Sequence, residues 1–259
     1  MTSELLGLAP LAWVLLALSA IIVGVSKTAL PGINTISIAI FAAVLPAKAS
    51  TGALLLLLIV GDAFALWSYR RHANWPTLIR LVPAVIAGLA LGALFLALAD
   101  DTWVRRFIGV ILLLVIAFTL WQRRRKPKAG DNAAADEAAA GAGRLAGMSY
   151  GSLGGFTTMV ANAGGPVMSM YFLAARFPVK AFLGTAAWFF AVINLVKVPI
   201  SVGLGLITTD TLLLDLLLVP GVIVGAFVGR WITRHINQRT FDVAVIVCTI
   251  LGAVYLLVS

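Results

Sequence analysis

Long apolar runs occupy residues 5–23, 52–69, 78–99, 103–121, 181–203, 211–229 and 241–258. Each approaches or exceeds the ~20 residues that a helix needs to cross a bilayer. Backbone in hydrocarbon must satisfy its own hydrogen bonds, so runs of this length predict helices. The short alternating segments of a membrane β-barrel are not visible. Composition points the same way: of 259 residues, 61% are hydrophobic and 11% charged, and the mean hydropathy is +1.05. Soluble domains average about a quarter charged residues, so this chain lacks the charge to cover a water-facing surface. The expected fold is an all-α polytopic membrane protein with the lipid bilayer as its main partner. No Lys or Arg precedes the first run, so a cleaved signal peptide is not expected. Cys248 is the single cysteine, which leaves no intramolecular disulfide and no cysteine metal cluster.

The net charge of +9 is not a nucleic-acid signature, because of where the charge sits. Arg123, Arg124, Arg125, Lys126 and Lys128 form "RRRKPK" directly after an apolar run. The positive-inside bias predicts that this loop is cytoplasmic. It continues as "AGDNAAADEAAAGAG", low in complexity and free of large apolar residues. Residues 123–143 therefore read as a flexible cytoplasmic linker between two membrane units, 1–122 and 144–259.

The two units share phrases in the same order. "LPAKASTG" (45–52) returns as "FPVKAFLG" (177–184), with Pro46, Lys48, Ala49 and Gly52 matching Pro178, Lys180, Ala181 and Gly184. "VPAVIAGLALG" returns as "VPGVIVGAFVG", matching Pro83, Gly88 and Gly92 to Pro220, Gly225 and Gly229. Asp62 follows Pro46 at the distance at which Asn194 follows Pro178. The loop charges swap sides between the copies. Arg70, Arg71, His72 and Arg80 follow the third segment of the first unit, where the second has only Asp210. Asp100, Asp101, Arg105 and Arg106 follow the fourth, where the second unit has Arg230, Arg234, His235 and Arg239. This predicts two inverted-topology repeats of about five segments each, counting the short runs 33–45 and 164–175, or 8–10 helices in all. Both termini then lie outside. Every Lys and Arg except Lys48, Arg105, Arg106 and Lys197 falls on the cytoplasmic side. Four spans per unit with re-entrant short runs would instead give a parallel repeat, which the charge swap disfavours.

Corresponding breaks precede the two short runs: "GVSKTALPGIN" (24–34) and "GGFTTMVANAGGP" (154–166). Broken helices at matching positions of inverted repeats mark transporter binding sites. Helices starting near Gly32 and near Gly164 or Gly165 would aim free N–H groups and a positive dipole end at a ligand, and Lys27 adds a full charge. Ser26, Thr28, Asn34, Thr157, Thr158 and Asn162 supply hydroxyl and amide groups. These residues are the candidate substrate-binding set, for an anion near the membrane midplane. The competing account of the glycines is that they permit close helix packing. Asp62, Asn194 and Lys197 lie within apolar segments, where polar groups are costly and have a role. Asp62 is read either as a proton carrier or as a fixed partner of Lys197. Lys48 and Lys180 fit snorkelling positions, His72 and His235 lie in solvated loops, and Trp67, Trp75, Trp103, Trp121 and Trp231 fit interfacial belts. No Walker A motif, H-E-x-x-H or Cys/His spacing is present, so neither an enzyme nor a cofactor is expected.

With "GVSKTALPGIN", "LPAKASTG", "GDAFALWSYRRHANW" and "LVPAVIAGLALG" in view, the chain resembles the TauE/SafE family of sulfite and organosulfonate exporters over nearly its whole length. The resemblance implies a multi-pass transporter of the bacterial inner membrane, usually described with about eight spans. It implies sulfite, thiosulfate, sulfoacetate or a related sulfur anion as substrate. The resulting expectation is a secondary active transporter working by alternating access, with protons as the candidate coupling ion. The alternative is a passive anion channel or uniporter of the same build.

Overall fold

The computed structural model describes residues 8–30, 33–104, 134–175 and 177–237, with scattered positions at 106–108, 110, 111, 114, 240, 243 and 247. Among the described residues every regular element is helical. They are α1 (Pro10–Thr28), α2 (Asn34–Val44), α3 (Ala47–Tyr69), α4 (Trp75–Leu98), α5 (Ala134–Ala161), α6 (Gly164–Ala174), α7 (Val179–Gly203) and α8 (Thr209–His235). Of these, α1, α3, α4, α7 and α8 are long and apolar enough to cross a membrane. The chain is a multi-pass membrane protein. Most of the runs 103–121 and 241–258, the "RRRKPK" cluster, Trp121 and Cys248 lie outside the described residues.

Both units use one order: long, short, long, long. Pro46 and Pro178 stand immediately before α3 and α7, where a fixed φ suits the chain entering a helix. Asn74 and Thr208 cap α4 and α8 by accepting the N–H groups of Thr77 and Thr211. The Asp101 carboxylate accepts from the N–H groups of Ala47 (3.1 Å) and Lys48 (2.9 Å), closing the start of α3. Two boundaries differ from the sequence expectation. Residues 134–143, read as linker, are the first turns of α5, since the Ala-rich "AADEAAAGAG" is strongly helix-forming. α1 runs past its apolar stretch through "VSKT", where the Thr28 hydroxyl donates to the Gly24 carbonyl within the helix (3.0 Å).

The contacts fix the helix directions. The Tyr69 hydroxyl, at the end of α3, donates to the Thr28 carbonyl at the end of α1 (2.9 Å), so α1 and α3 are parallel. α2 turns back along α1, with Ser19 and Ser37 each donating to the other's carbonyl. α3 and α7 are antiparallel. Gly52 near the start of α3 packs on the Leu206 carbonyl beyond the end of α7, and Gly184 near the start of α7 packs on the Tyr69 carbonyl at the end of α3. The repeated phrase thus starts a helix with its Pro and seats that helix on the other unit with its Gly.

α1 pairs with α8, and α4 pairs with α5, each parallel and each across the two units. A Cβ on Gly24 would overlap the Val222 carbonyl and the Ala226 nitrogen; on Gly155 it would overlap the Val85 carbonyl and crowd the Leu89 nitrogen. In the partner helices, Gly225 abuts the Ile21 carbonyl and Gly88 the Ser152 carbonyl. The shared Pro–Gly–Gly pattern therefore builds one small-residue seam twice. The seams align Gly24 with Gly155, hence Lys27 with Thr158. Antiparallel α3 and α7 with exchanged first helices describe two units of opposite sense.

Lipid-facing surfaces carry large apolar side chains, including Leu11, Ile79, Leu98, Leu195 and Leu216. Trp67, Trp75, Trp103 and Trp231 are exposed near helix ends, and the Arg230 guanidinium lies 4.2 Å from the centre of the Trp67 ring.

Candidate anion site

Where α3 crosses α7, the Asp62 carboxylate meets two partners. Oδ1 lies 2.6 Å from the Lys27 ammonium, and Oδ2 accepts from Asn194 Nδ2 at 2.7 Å. Lys27 comes from the last turn of α1, and its Nζ lies 4.7 Å from the centre of the Phe190 ring. Room for its stem exists because residue 61 is glycine; a Cβ there would sit 2.8 Å from Lys27 Cγ. Asp62 and Asn194 are buried, 2% and 1% exposed.

This cluster walls a cavity that gathers Ser26, Lys27, Asn34, Asp62, Thr158, Asn162, Gly165 and Asn194 from the sequence-predicted set. Leu58, Ala186, Ala187 and Phe190 complete the lining. Its volume is about 20 Å³, room for one or two water molecules. A polyatomic anion requires the walls to part. Both short helices begin at this cavity, α2 with Asn34 and α6 with Gly165 in its first turn. Each has 11 residues, about 16 Å of rise against a hydrocarbon core of about 30 Å. Neither start has a side-chain cap, so first-turn N–H groups and two positive dipole ends converge here.

Lys197 has a different position. It is fully buried and does not line the cavity. Its Nζ donates to the Thr158 carbonyl at 2.5 Å and to Asn162 Oδ1 at 2.6 Å. Asn162 adopts a left-handed φ of 54°, which short polar side chains tolerate, and its Nδ2 donates to the Thr51 carbonyl (2.9 Å). Lys197 thus holds the broken end of α5, a cation on helix C-terminal carbonyls. This corrects the reading of Asp62 as its fixed partner: one turn past Asn194, Lys197 faces the α5 break, and Lys27 takes Asp62.

Three predicted residues point elsewhere. The Thr28 hydroxyl donates to the Gly24 and Ala226 carbonyls. Thr157 bonds the Leu153 and Gly154 carbonyls and borders an apolar groove with Tyr150 and Pro166. Gly164 packs against Thr158 and Phe190. Gly32 lies outside the described residues. Phe190 carries no polar signal that marks it in the sequence. It precedes Asn194 by four residues, the spacing of one helix face.

Two formal positive charges and one negative, with two helix N-termini, are set within apolar packing. Positive dipole ends and an ammonium set in apolar packing favour negative charge, which Asp62 supplies in this structure. Among the described residues no group of His, Cys, Asp or Glu could hold a metal ion. One family model matches the chain, Sulfite exporter TauE/SafE, over residues 16–256. No curated protein and no solved structure matches it.

Proposed function

Because the chain belongs to the TauE/SafE sulfite exporter family of membrane transporters, we propose that it is a secondary active transporter of a small anion. Sulfite, a related sulfur oxyanion or an organosulfonate crosses the bacterial inner membrane by alternating access. The observation that carries this reading is the convergence of Lys27 and two uncapped half-helix starts on one cavity. The anion takes the place of the Asp62 carboxylate on the Lys27 ammonium, and Asp62, released into a dry site, takes a proton. That exchange couples anion to proton, since the two negative groups compete for one cation. The two repeat units, the second beginning with α5 at Ala134, act as the moving parts, with α3 and α7 as the crossing between them. The ends of α3 and α8 and the start of α4, with Arg70, Arg71, Arg80, Arg230 and Arg234, face the cytoplasm together with the linker.

The test is sulfite flux in proteoliposomes of the purified protein, with and without an imposed proton gradient. Uphill flux driven by the gradient is the expected result. Flux only down the sulfite gradient replaces the proposal with the channel or uniporter alternative. Absence of sulfite flux moves the substrate to organosulfonates and other anions.

A further inference from the structure

α8 buries a stripe against α1 and α3: Thr211, Leu214, Asp215, Leu218, Val222 and the residues that continue it. Every member is apolar or small except Thr211, which is satisfied by the Thr208 carbonyl, and Asp215. Asp215 is 4% exposed, and neither carboxylate oxygen has a hydrogen-bond partner. Among the described residues, no charged group on the packed helices bonds this carboxylate. α1 carries Lys27 in its last turn, α3 carries Lys48 in its first turn and Asp62, and α8 itself carries Asp210 and, at its far end, Arg230, Arg234 and His235. Gly61 meets Val222 across the α3–α8 contact, so Asp215 lies about 10 Å along the axis from the level of Asp62. By the repeat alignment that matches Pro83 to Pro220, the first unit has Leu78 where the second has Asp215. The fold therefore accepts an apolar side chain at this position. An unpaired carboxylate in hydrocarbon costs several kcal/mol, and such residues are retained for function.

A cavity lies near this carboxyl without including it. It has a volume of about 400 Å³ at the face where α3 and α8 begin, and its lining includes Thr208, Asp210, Thr211 and Leu214 beside apolar side chains such as Val44 and Leu45. Leu214 adjoins Asp215 in the chain, and Thr211 lies one turn before it. We propose that Asp215 is a second intramembrane proton site, loaded from this cavity and standing between the face opposite the linker and Asp62. Delivery to Asp62 rests on the coupling proposed above; proton binding at Asp215 does not.

Two variants of the full chain in lipid test it. Infrared spectra should show a protonated carboxyl carbonyl band that is absent from Asp215→Asn and retained in Asp62→Asn. Asp215→Leu, which restores the repeat, should raise the thermal unfolding midpoint, while gradient-driven sulfite uptake falls on the order of tenfold. Sulfite counterflow without a proton gradient should persist in both Asp215 variants. Identical carboxyl bands in wild type and Asp215→Asn would overturn the proton site whatever the transport result. Full gradient-driven uptake in Asp215→Leu would overturn its part in proton supply.

Discussion

The two helix breaks occupy equivalent places and are held by opposite means. The end of α1 is tied by hydroxyls: Tyr69 from α3 and Thr233 from α8 both donate to the Thr28 carbonyl at 2.9 Å. The end of α5 is tied by the Lys197 ammonium. Because neutral groups close the first break, its own cation, Lys27, is free to face the cavity and Asp62. The second break has Thr158 at that place and spends its nearby cation on its own carbonyls. Residue 61 is glycine beside Lys27, whereas its counterpart is the buried Ile193. One shared plan thus leaves one cation on a carboxylate at the cavity and one on the oxygens of a helix end, and the proposed mechanism makes the first exchangeable and the second fixed.

The contrast breaks most sharply at the two lysines. Lys27→Ala should lower sulfite flux on the order of 100-fold, as expected when a charged contact to the ligand is removed. Lys197→Met should keep much more of the flux than that. Equal flux losses would erase the distinction between exchangeable and fixed charge. The reverse pattern appears in folding. Lys197→Met leaves Asn162 Oδ1 without its buried donor and the Thr158 carbonyl with the Asn162 N–H alone, costing about 2 kcal/mol, read as a lower unfolding midpoint in detergent. Lys27→Met paired with Asp62→Asn should come near the wild-type midpoint, because both charges leave together. Asp62→Asn alone should reduce gradient-driven uptake on the order of tenfold, and the remaining flux should no longer vary with pH. A pH dependence equal to wild type in that variant assigns the coupling proton elsewhere. The smallest effect is expected from Tyr69→Phe, about 1 kcal/mol of stability for one lost hydrogen bond, with flux unchanged. A large flux defect there would mean that the hydroxyl closure of α1 moves during transport.

Fold class was legible because hydrocarbon allows so few backbone solutions. The inverted sense was legible from the loop charges, and the matching contacts of Gly52 on Leu206 and Gly184 on Tyr69, and of Gly24 on Val222 and Gly155 on Val85, give it a geometric form. The breaks were legible as breaks because a half-helix leaves Gly and Pro marks. Pairing was not legible: "SKT" and "GDAF" do not reveal that Lys27 outcompetes Lys197 for Asp62, which depends on where α1 crosses α3. Thr28 and Thr157 show the limit of reading hydroxyls as ligands, since within a helix they bond the preceding turn. Asp215 was not legible for a related reason: repeats reveal the residues they share, and this one stands where the units differ, opposite Leu78.

The exchanged seams bear on how the chain is made. α1 leaves the ribosome well before α8, the helix that covers its Gly24 surface. Until then the N-terminal unit sits in the bilayer with its backbone groove open to lipid or to chaperones. The two seams therefore close late, and a nascent chain halted before α5 lacks the partner helices of both α1 and α4.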